Sequence, residues 1–207
     1  GISVDLDGVI AVELNRIGIC AGVSTLEEVN IRSISDWSSE SFALTLSGQG
    51  YFQNCAGLTK VITDNPRSWK VSPKMFAGCS NLEYFYDQEG HQLPEFVSKI
   101  SSDYIRDSFS GCQSLRISSL PNTVKRLLGS AFANCLYLTA DQELPYLYEI
   151  SSDAFTGCTR AFTSGVFDFG SLSIDKTITL PATGFTPVNA SKVILNSKAV
   201  STITKTL

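Results

Sequence analysis

The sequence predicts one elongated solenoid, mainly β with short helical or 3-10 turns, in which about five to six coils stack on one another. Three recurring features predict it. A leucine follows three residues after the cysteine in the first four copies of a repeated phrase, and a Leu-Pro pair recurs in step. A period in the twenties is typical of units that bury their apolar faces only by stacking. The repeated phrase is an aromatic residue followed three positions later by a cysteine, and successive cysteines lie 24, 33, 23 and 23 residues apart. Its five copies are Phe52/Cys55, Phe76/Cys79, Phe109/Cys112, Phe132/Cys135 and Phe155/Cys158.

The chain is expected to divide into three segments. Residues 1–16 form an N-terminal cap, because Ile17-Gly-Ile-Cys20 is the first and weakest echo of the phrase. Residues 17–162 form the solenoid. Residues 163–207 lack cysteine and are rich in Thr, Ser and β-branched residues, with short strand candidates such as Thr177-Ile-Thr-Leu180. An open solenoid end exposes core and unpaired backbone, so this segment is predicted to be a β-rich C-terminal cap. A stub that leads to a further domain or an anchor is the alternative.

Within each coil, inward positions must fill a core shared with the neighbouring coils. The recurring Phe supplies a large apolar filler, and the proline after Leu ends a strand. Glycines beside the cysteines fit a tight corner, and they are Gly57, Gly78, Gly111 and Gly157. The predicted inward pairs are Leu58 with Val61, Leu82 with Phe85, and Leu115 with Leu120.

The six cysteines hold equivalent places in successive coils, which favours a column of buried free thiols over three disulfides. Coils stack about 4.8 Å apart, so distance alone does not forbid bridging. Metal binding by the repeat cysteines is not expected, since the closest pair is 23 residues apart and the chain has one histidine. No cofactor motif is present, and no phosphate-binding glycine loop occurs.

The repeat unit resembles the BspA-type leucine-rich repeat of surface proteins from gut and oral bacteria and some parasitic protists. The likeness extends roughly from Ile17 to Phe162. An Ala-Phe-x-x-Cys phrase, a Leu-x-x-Ile segment and a Leu-Pro-x-x-Val-x-x-Ile segment characterise that family, and they stand in this sequence around Leu115 to Leu138. The resemblance implies a right-handed solenoid on a secreted or cell-surface protein. It implies no enzyme, and members differ in what they bind.

Composition limits the partners. The chain of 207 residues is 43% hydrophobic and 17% charged, with a net charge of −4, which provides apolar material for a continuous core. An acidic balance with no cluster of Lys and Arg argues against nucleic acid and against an anionic membrane surface. No apolar run reaches the roughly 18 residues of a membrane span. The chain starts with Gly, so we expect an export signal to be missing from it, and we expect a monomer.

The sequence offers two catalytic alternatives. A Ser/His/Asp arrangement would need His91, the only histidine, which lies in the polar stretch Tyr86-Asp-Gln-Glu-Gly-His-Gln92. Val4-Asp5-Leu6-Asp7-Gly8 resembles the first motif of Mg²⁺-dependent haloacid-dehalogenase-like phosphotransferases, in which two such aspartates serve as nucleophile and acid/base. Repeats follow Ile10, where those enzymes alternate strands and helices. A capping strand with a turn at Asp7-Gly8 is therefore favoured, and no catalytic residue is predicted.

If the chain is a binding module, its irregular places are informative. The unit between Cys79 and Cys112 has about six extra residues around Asp87–Gln92 and about four around Ser101–Tyr104. Loops on a rigid array are favourable recognition sites. Beside the first insertion, outward-facing tyrosines would lie near charged residues of preceding strands. The candidate surface for an unidentified host or surface protein or a glycan comprises Glu28, Lys60, Tyr84, Tyr86 and His91. A purely structural spacer for a missing domain is the alternative function.

Overall fold

The computed structural model describes residues 1–5, 18, 20–31, 50–63 and 70–169, together with the backbone of residues 176–180, 192–194 and 200–205. This part of the chain holds eleven short strands and one 3-10 helix, Val97–Lys99. The strands are β1 (Ile2–Asp5), β2 (Leu26–Asn30), β3 (Lys60–Ile62), β4 (Tyr84–Tyr86), β5 (Tyr104–Arg106), β6 (Arg126–Leu128), β7 (Glu149–Ile150), β8 (Val166–Asp168), β9 (Lys176–Leu180), β10 (Lys192–Ile194) and β11 (Val200–Lys205).

The strands form parallel sheets, as a solenoid requires. The first sheet has the order β1-β2-β3-β4, and the second has the order β11-β9-β7-β6-β5. Strands β8 and β10 form a further parallel pair. Each coil brings the chain back to the same edge in the same direction, so successive strands pair in parallel without a long crossover helix. The predicted mainly-β solenoid of about five turns is confirmed.

Rows of residues from successive strands point into the shared core. In the first sheet, Val29 is in register with Val61, and Val61 with Phe85; all three are essentially inaccessible to solvent. In the second sheet, Ile105, Leu127 and Ile150 form the corresponding row. The predicted inward pairs are also buried: Leu58, Leu82, Leu115 and Leu120 line the core with their partners.

A column of stacked phenylalanine rings runs through the core. Adjacent ring centroids lie 5.6, 6.0, 5.5 and 5.8 Å apart along Phe52, Phe76, Phe109, Phe132 and Phe155. Interplanar angles between 5° and 18° make these offset stacks of nearly parallel rings. Each ring comes from a different coil, so this column couples every coil to the next.

The cysteines form a second column, beside the rings. All six are buried free thiols. Each repeat thiol donates a hydrogen bond to a backbone carbonyl of the coil before it; Cys112 Sγ, for example, lies 3.1 Å from Phe76 O, and Cys135 Sγ lies 3.1 Å from Phe109 O. Burial raises the pKa of the Cys112 and Cys135 thiols well above the ordinary value. The column therefore satisfies buried carbonyls and fills space, as a free thiol can.

The corner before each cysteine explains part of the glycine pattern. Gly78, Gly111 and Gly157 have φ angles of 77°, 75° and 78°, in the left-handed region that favours glycine. Gly57 is needed for a different reason, because a Cβ there would lie 2.1 Å from the carbonyl oxygen of Ser24. Tight corners at Gly78, Gly111 and Gly157 are thus confirmed. Gly57 instead permits a close approach of two backbones.

The C-terminal strands continue the sheets. Strand β9 pairs with β7, and β11 pairs with β9, in both cases in parallel. Strand β1 likewise adds to the start of the first sheet through β2. The division into an N-terminal cap at 1–16, a solenoid at 17–162 and a C-terminal cap at 163–207 stays a prediction.

Candidate binding surface

The structure brings four of the predicted surface residues together on the outer face of the first sheet. Glu28 is in register with Lys60, and Lys60 with Tyr84. Lys60 Nζ lies 3.1 Å from Glu28 Oε2 and 5.8 Å from the centroid of the Tyr86 ring. We call these four residues, Glu28, Lys60, Tyr84 and Tyr86, the aromatic patch.

The patch faces outward because of the two-residue period of a strand. In β4, Phe85 points inward and is 1% exposed, whereas Tyr84 and Tyr86 on either side of it are half-buried on the outer face. Fixed backbone and two side-chain torsions per tyrosine leave little entropy to lose when a partner binds.

His91 lies in a closed loop that the first insertion forms directly after Tyr86. Tyr86 and Gln92 pair in an antiparallel bridge, and the loop between them is exposed. Asp87 accepts hydrogen bonds from the backbone N–H of His91 at 2.7 Å and contacts the His91 ring nitrogen Nδ1 at 2.9 Å. Slight desolvation opposes ionisation of Asp87, but the hydrogen bonds from His91 outweigh it and lower its pKa. The imidazole itself is 76% exposed, as expected for a loop histidine.

Three side chains of this loop could approach one ion. Ligand atoms of Asp87, Glu89 and His91 lie within 4.8 Å of one another. Glu89 and His91 are exposed, and exposed acidic groups gather in this way without an ion. The contacts already described close the loop by themselves, so the cluster gives no reason to assign a metal.

Next to the patch lies a groove that the sequence patterns did not reveal. It has a volume of about 260 Å³ and is lined by side chains from successive coils, among them Tyr84, Pro94, Arg116, Tyr137 and Arg160. Pro94 belongs to the Leu-Pro pair that follows the first insertion. We call this feature the arginine groove.

The ring of Tyr137 orders the arginine groove. The guanidinium carbon Cζ of Arg116 lies 4.4 Å from the Tyr137 ring centroid, and that of Arg160 lies 4.5 Å from it. Arg116 belongs to the coil before Tyr137 and Arg160 to the coil after it. Arg116 Nε also lies 2.9 Å from Glu83 Oε1, and this hydrogen bond raises the pKa of Arg116. Cation–π contact with an aromatic face favours this position of each guanidinium.

The described residues do not assemble a site for the phosphotransferase alternative. Asp5 is the last residue of β1, exposed and in register with Asn30. Asp7 lies outside the residues that the structure describes. No helix in the described part of the chain is long and apolar enough to cross a bilayer.

Comparison with protein families agrees with the repeat architecture. The family model of the BspA type leucine rich repeat region matches residues 14–102 and 89–203, in six copies. The chain belongs to the BspA-type leucine-rich repeat family. No curated protein and no solved structure shows significant similarity to it. Membership of the BspA-type family suggests a surface-associated, protein-binding repeat module, and the family is generally non-enzymatic.

Proposed function

We propose that this BspA-type chain is a non-enzymatic, cell-surface or secreted binding module that recognises a host or surface protein or a glycan, with a role in adhesion. The observation that carries the proposal is the aromatic patch. Two half-buried tyrosines and an ion-paired lysine stand on the outer face of a parallel sheet whose inner face is packed into the core. A rigid strand that presents aromatic rings is a favourable recognition surface.

The charges of the patch support partner recognition rather than strong non-specific attraction. Lys60 is shared between Glu28 and the ring of Tyr86, so its charge is largely balanced. The chain as a whole carries a net charge of −4, which disfavours polyanionic polymers as general partners. Apolar and stacking contacts of Tyr84 and Tyr86 would then supply most of the affinity, and the charged pair would orient the partner. Binding is proposed to occur from a monomer.

Binding arrays test the proposal. The fluorescently labelled 207-residue chain is applied to arrays of extracellular-matrix proteins and of glycans, and the Tyr84→Ala/Tyr86→Ala variant is applied beside it. We expect selective binding by the parent chain and a loss of about tenfold or more in the variant, since tyrosine is enriched among the hot-spot residues whose truncation costs about 2 kcal/mol or more. Tyr146→Ala is the matched control, because Tyr146 is 45% exposed and lies outside the patch.

Two outcomes would overturn the proposal. A chain that binds nothing on either array would fit a spacer that holds another domain. Binding that the double tyrosine variant retains at full strength would move recognition away from the patch. Circular dichroism of both variants establishes that they keep the parent fold.

A further inference from the structure

We propose that the arginine groove binds the carboxylates of an acidic peptide segment of a protein partner. This inference rests on the proposed function and names the ligand chemistry of a site next to the aromatic patch. Arg116, Tyr137 and Arg160 carry it, with Tyr84 and Pro94 as apolar walls.

The guanidinium groups of Arg116 and Arg160 hold fixed positions in the groove. Ile117 and Leu138 form a parallel bridge, which sets Arg116 beside Tyr137 in the next coil. Arg160 reaches the same ring from the following coil. The two guanidinium carbons therefore lie within about 9 Å of each other, since they are 4.4 and 4.5 Å from the same ring centroid. Stacking on the ring restrains both arginines before any ligand arrives, so less entropy is lost on binding.

The positive charges of Arg116 and Arg160 are only partly neutralised by neighbouring residues. Arg116 has one carboxylate partner, Glu83, on its Nε. Within the part of the chain that the structure describes, the ring of Tyr137 is the contact found for the Arg160 guanidinium. Arg160 is exposed and keeps its donors for solvent or a ligand. Carboxylates that accept hydrogen bonds from the two guanidiniums would satisfy these donors and offset the repulsion between the like charges.

The polar side chains that line the groove favour one kind of ligand. Among the described residues that line the groove, the polar side chains are two arginines, two tyrosines, Ser118 and Thr139; none carries a carboxylate or carboxamide. Guanidinium groups only donate hydrogen bonds, so the lining favours a ligand group that only accepts them. A planar carboxylate matches the guanidinium fork in shape. Sugar hydroxyls also need acceptors, and the acceptor side chains among these lining residues are hydroxyl groups without charge.

A peptide fits the length and the walls of the groove better than a free anion does. Glutamates two residues apart on an extended strand point the same way, about 6.8 Å apart, and their flexible stems let the two carboxylates adjust to the spacing of the guanidiniums. The aliphatic stems would lie against Pro94 and the ring of Tyr84. The volume of about 260 Å³ accommodates such side chains rather than a folded domain.

Nuclear magnetic resonance of the arginine side chains tests the inference directly. The ¹⁵N-labelled 207-residue chain is titrated with the blocked peptide Ac-Gly-Glu-Ile-Glu-Gly-NH2 and with its glutamine analogue, and the Nε–Hε signals of Arg116 and Arg160 are followed. We expect both signals to shift saturably with the glutamate peptide and to stay unchanged with the glutamine peptide. Arg160→Gln should weaken the peptide affinity about tenfold, as loss of one charge-assisted bidentate contact does.

Matched variants separate the groove from a general charge effect. Arg106→Gln removes the same charge from β5 in the second sheet, and we expect it to leave the affinity within twofold. Tyr137→Phe keeps the ring and should keep the affinity, whereas Tyr137→Ser should weaken it because the guanidiniums lose their platform. Equal loss in Arg106→Gln and Arg160→Gln would contradict a site at the groove. So would tighter binding of glucuronate or sodium sulfate than of the glutamate peptide, which would assign the groove to a glycan or to a free anion.

The failure of this inference can be told from the failure of the proposed function. Array binding that depends on Tyr84 and Tyr86, combined with silent Arg116 and Arg160 signals, would reject only the groove. Saturable shifts at the two arginines with no ligand on either array would count against the wider adhesive role and leave the groove chemistry supported.

Discussion

At the scale of single residues, the position before each repeat cysteine shows how a coil depends on its neighbour. Asn54, Gly78, Gly111, Asn134 and Gly157 occupy it, and all five have positive φ between 60° and 78°. Glycine and asparagine are the residues that adopt this conformation most readily. The order is also constrained, because a Cβ on Gly78 would lie 2.4 Å from Asn54 Oδ1, and one on Gly157 would lie 2.3 Å from Asn134 Oδ1. A coil therefore needs glycine at this position when the preceding coil has asparagine at the same position.

Gly78→Ala should destabilise the protein more than Gly111→Ala. Both substitutions place alanine at nearly the same positive φ, so the backbone strain is shared. A Cβ on Gly111 meets only ordinary contacts at 3.5 Å, whereas that on Gly78 collides with the Asn54 amide. We expect an additional loss of about 1–2 kcal/mol in the free energy of unfolding for Gly78→Ala, the usual range for overpacking. Urea unfolding followed by circular dichroism measures the difference.

A further variant checks the cause of that difference. Asn54→Gly in the Gly78→Ala background removes the colliding amide, so it should recover most of the additional loss. Equal stability of the two alanine variants would mean that the Asn54 side chain moves away freely and that glycine is required only for its φ angle.

At the scale of the structural element, the cysteine column behaves as a buried ladder of weak donors. Cys55, Cys79, Cys112, Cys135 and Cys158 each donate to the preceding coil over 2.8–3.1 Å. Burial raises the pKa of both Cys55 and Cys158 to about 11, against an ordinary value of 9.0. Since the thiolate is the reactive form, a folded column of this kind should be inert.

Alkylation at pH 8.5 with iodoacetamide measures this inertness. We expect Cys79, Cys112 and Cys135 to remain unmodified in the folded protein for hours, while all six thiols react in guanidinium chloride. Peptide mass spectrometry assigns each site. Labelling of Cys112 in the folded chain at the rate of an unfolded peptide would show that the column opens readily, contrary to its complete burial.

The same thiols predict how stability depends on pH. Their pKa is higher in the folded chain than the 9.0 of an exposed thiol, so their contribution is fully present below about pH 9. Unfolded thiols lose protons first as the pH rises, and the free energy of unfolding should therefore fall between about pH 9 and pH 11. Urea unfolding at pH 8, 9.5 and 10.5 measures the fall. Cys112→Ala has one thiol fewer and should show a shallower decline, and an unchanged slope would attribute the decline to other groups.

The elements also show which parts of the molecule the sequence could predict. Repeat spacing located the buried rows and the thiol column, because each row obeys one period that every coil keeps. Strand alternation predicted the outward direction of Tyr84 and Tyr86 for the same reason. The arginine groove was missed because it depends on pairing between coils. Aligning coils by their leucines sets Tyr137 beside Ser114, but the bridge between Ile117 and Leu138 sets it beside Arg116.

At the scale of the whole molecule, the phenylalanine and cysteine columns make the stability of each coil depend on its contacts with the neighbouring coils. Phe109 stacks on Phe76 and Phe132, and Cys135 bonds to the carbonyl of Phe109 in the preceding coil. Contacts of this kind join adjacent coils only, so energetic coupling should decay along the axis. Central coils are supported on two sides. By contrast, β1 lies at the edge of the first sheet as far as the described strands go, pairing with β2, and its side chains are mostly exposed, including Ile2 at 47% exposure.

Phe132→Leu therefore should weaken the solenoid locally. The shorter side chain loses its stacking with Phe109 and Phe155, which lie 5.5 and 5.8 Å away between ring centroids, and the loss should loosen mainly the coils that hold those three rings. Hydrogen exchange measured by mass spectrometry reports it. We expect faster exchange of the Phe132 amide, which donates to Ala154 O at 2.9 Å, and little change at the Phe52 amide, which donates to Met75 O at 3.0 Å. Tyr146→Leu, an exposed substitution, should change neither. An equal gain in exchange at Phe52 and Phe132 would show instead that the solenoid opens as one cooperative unit, and would contradict coupling limited to adjacent coils.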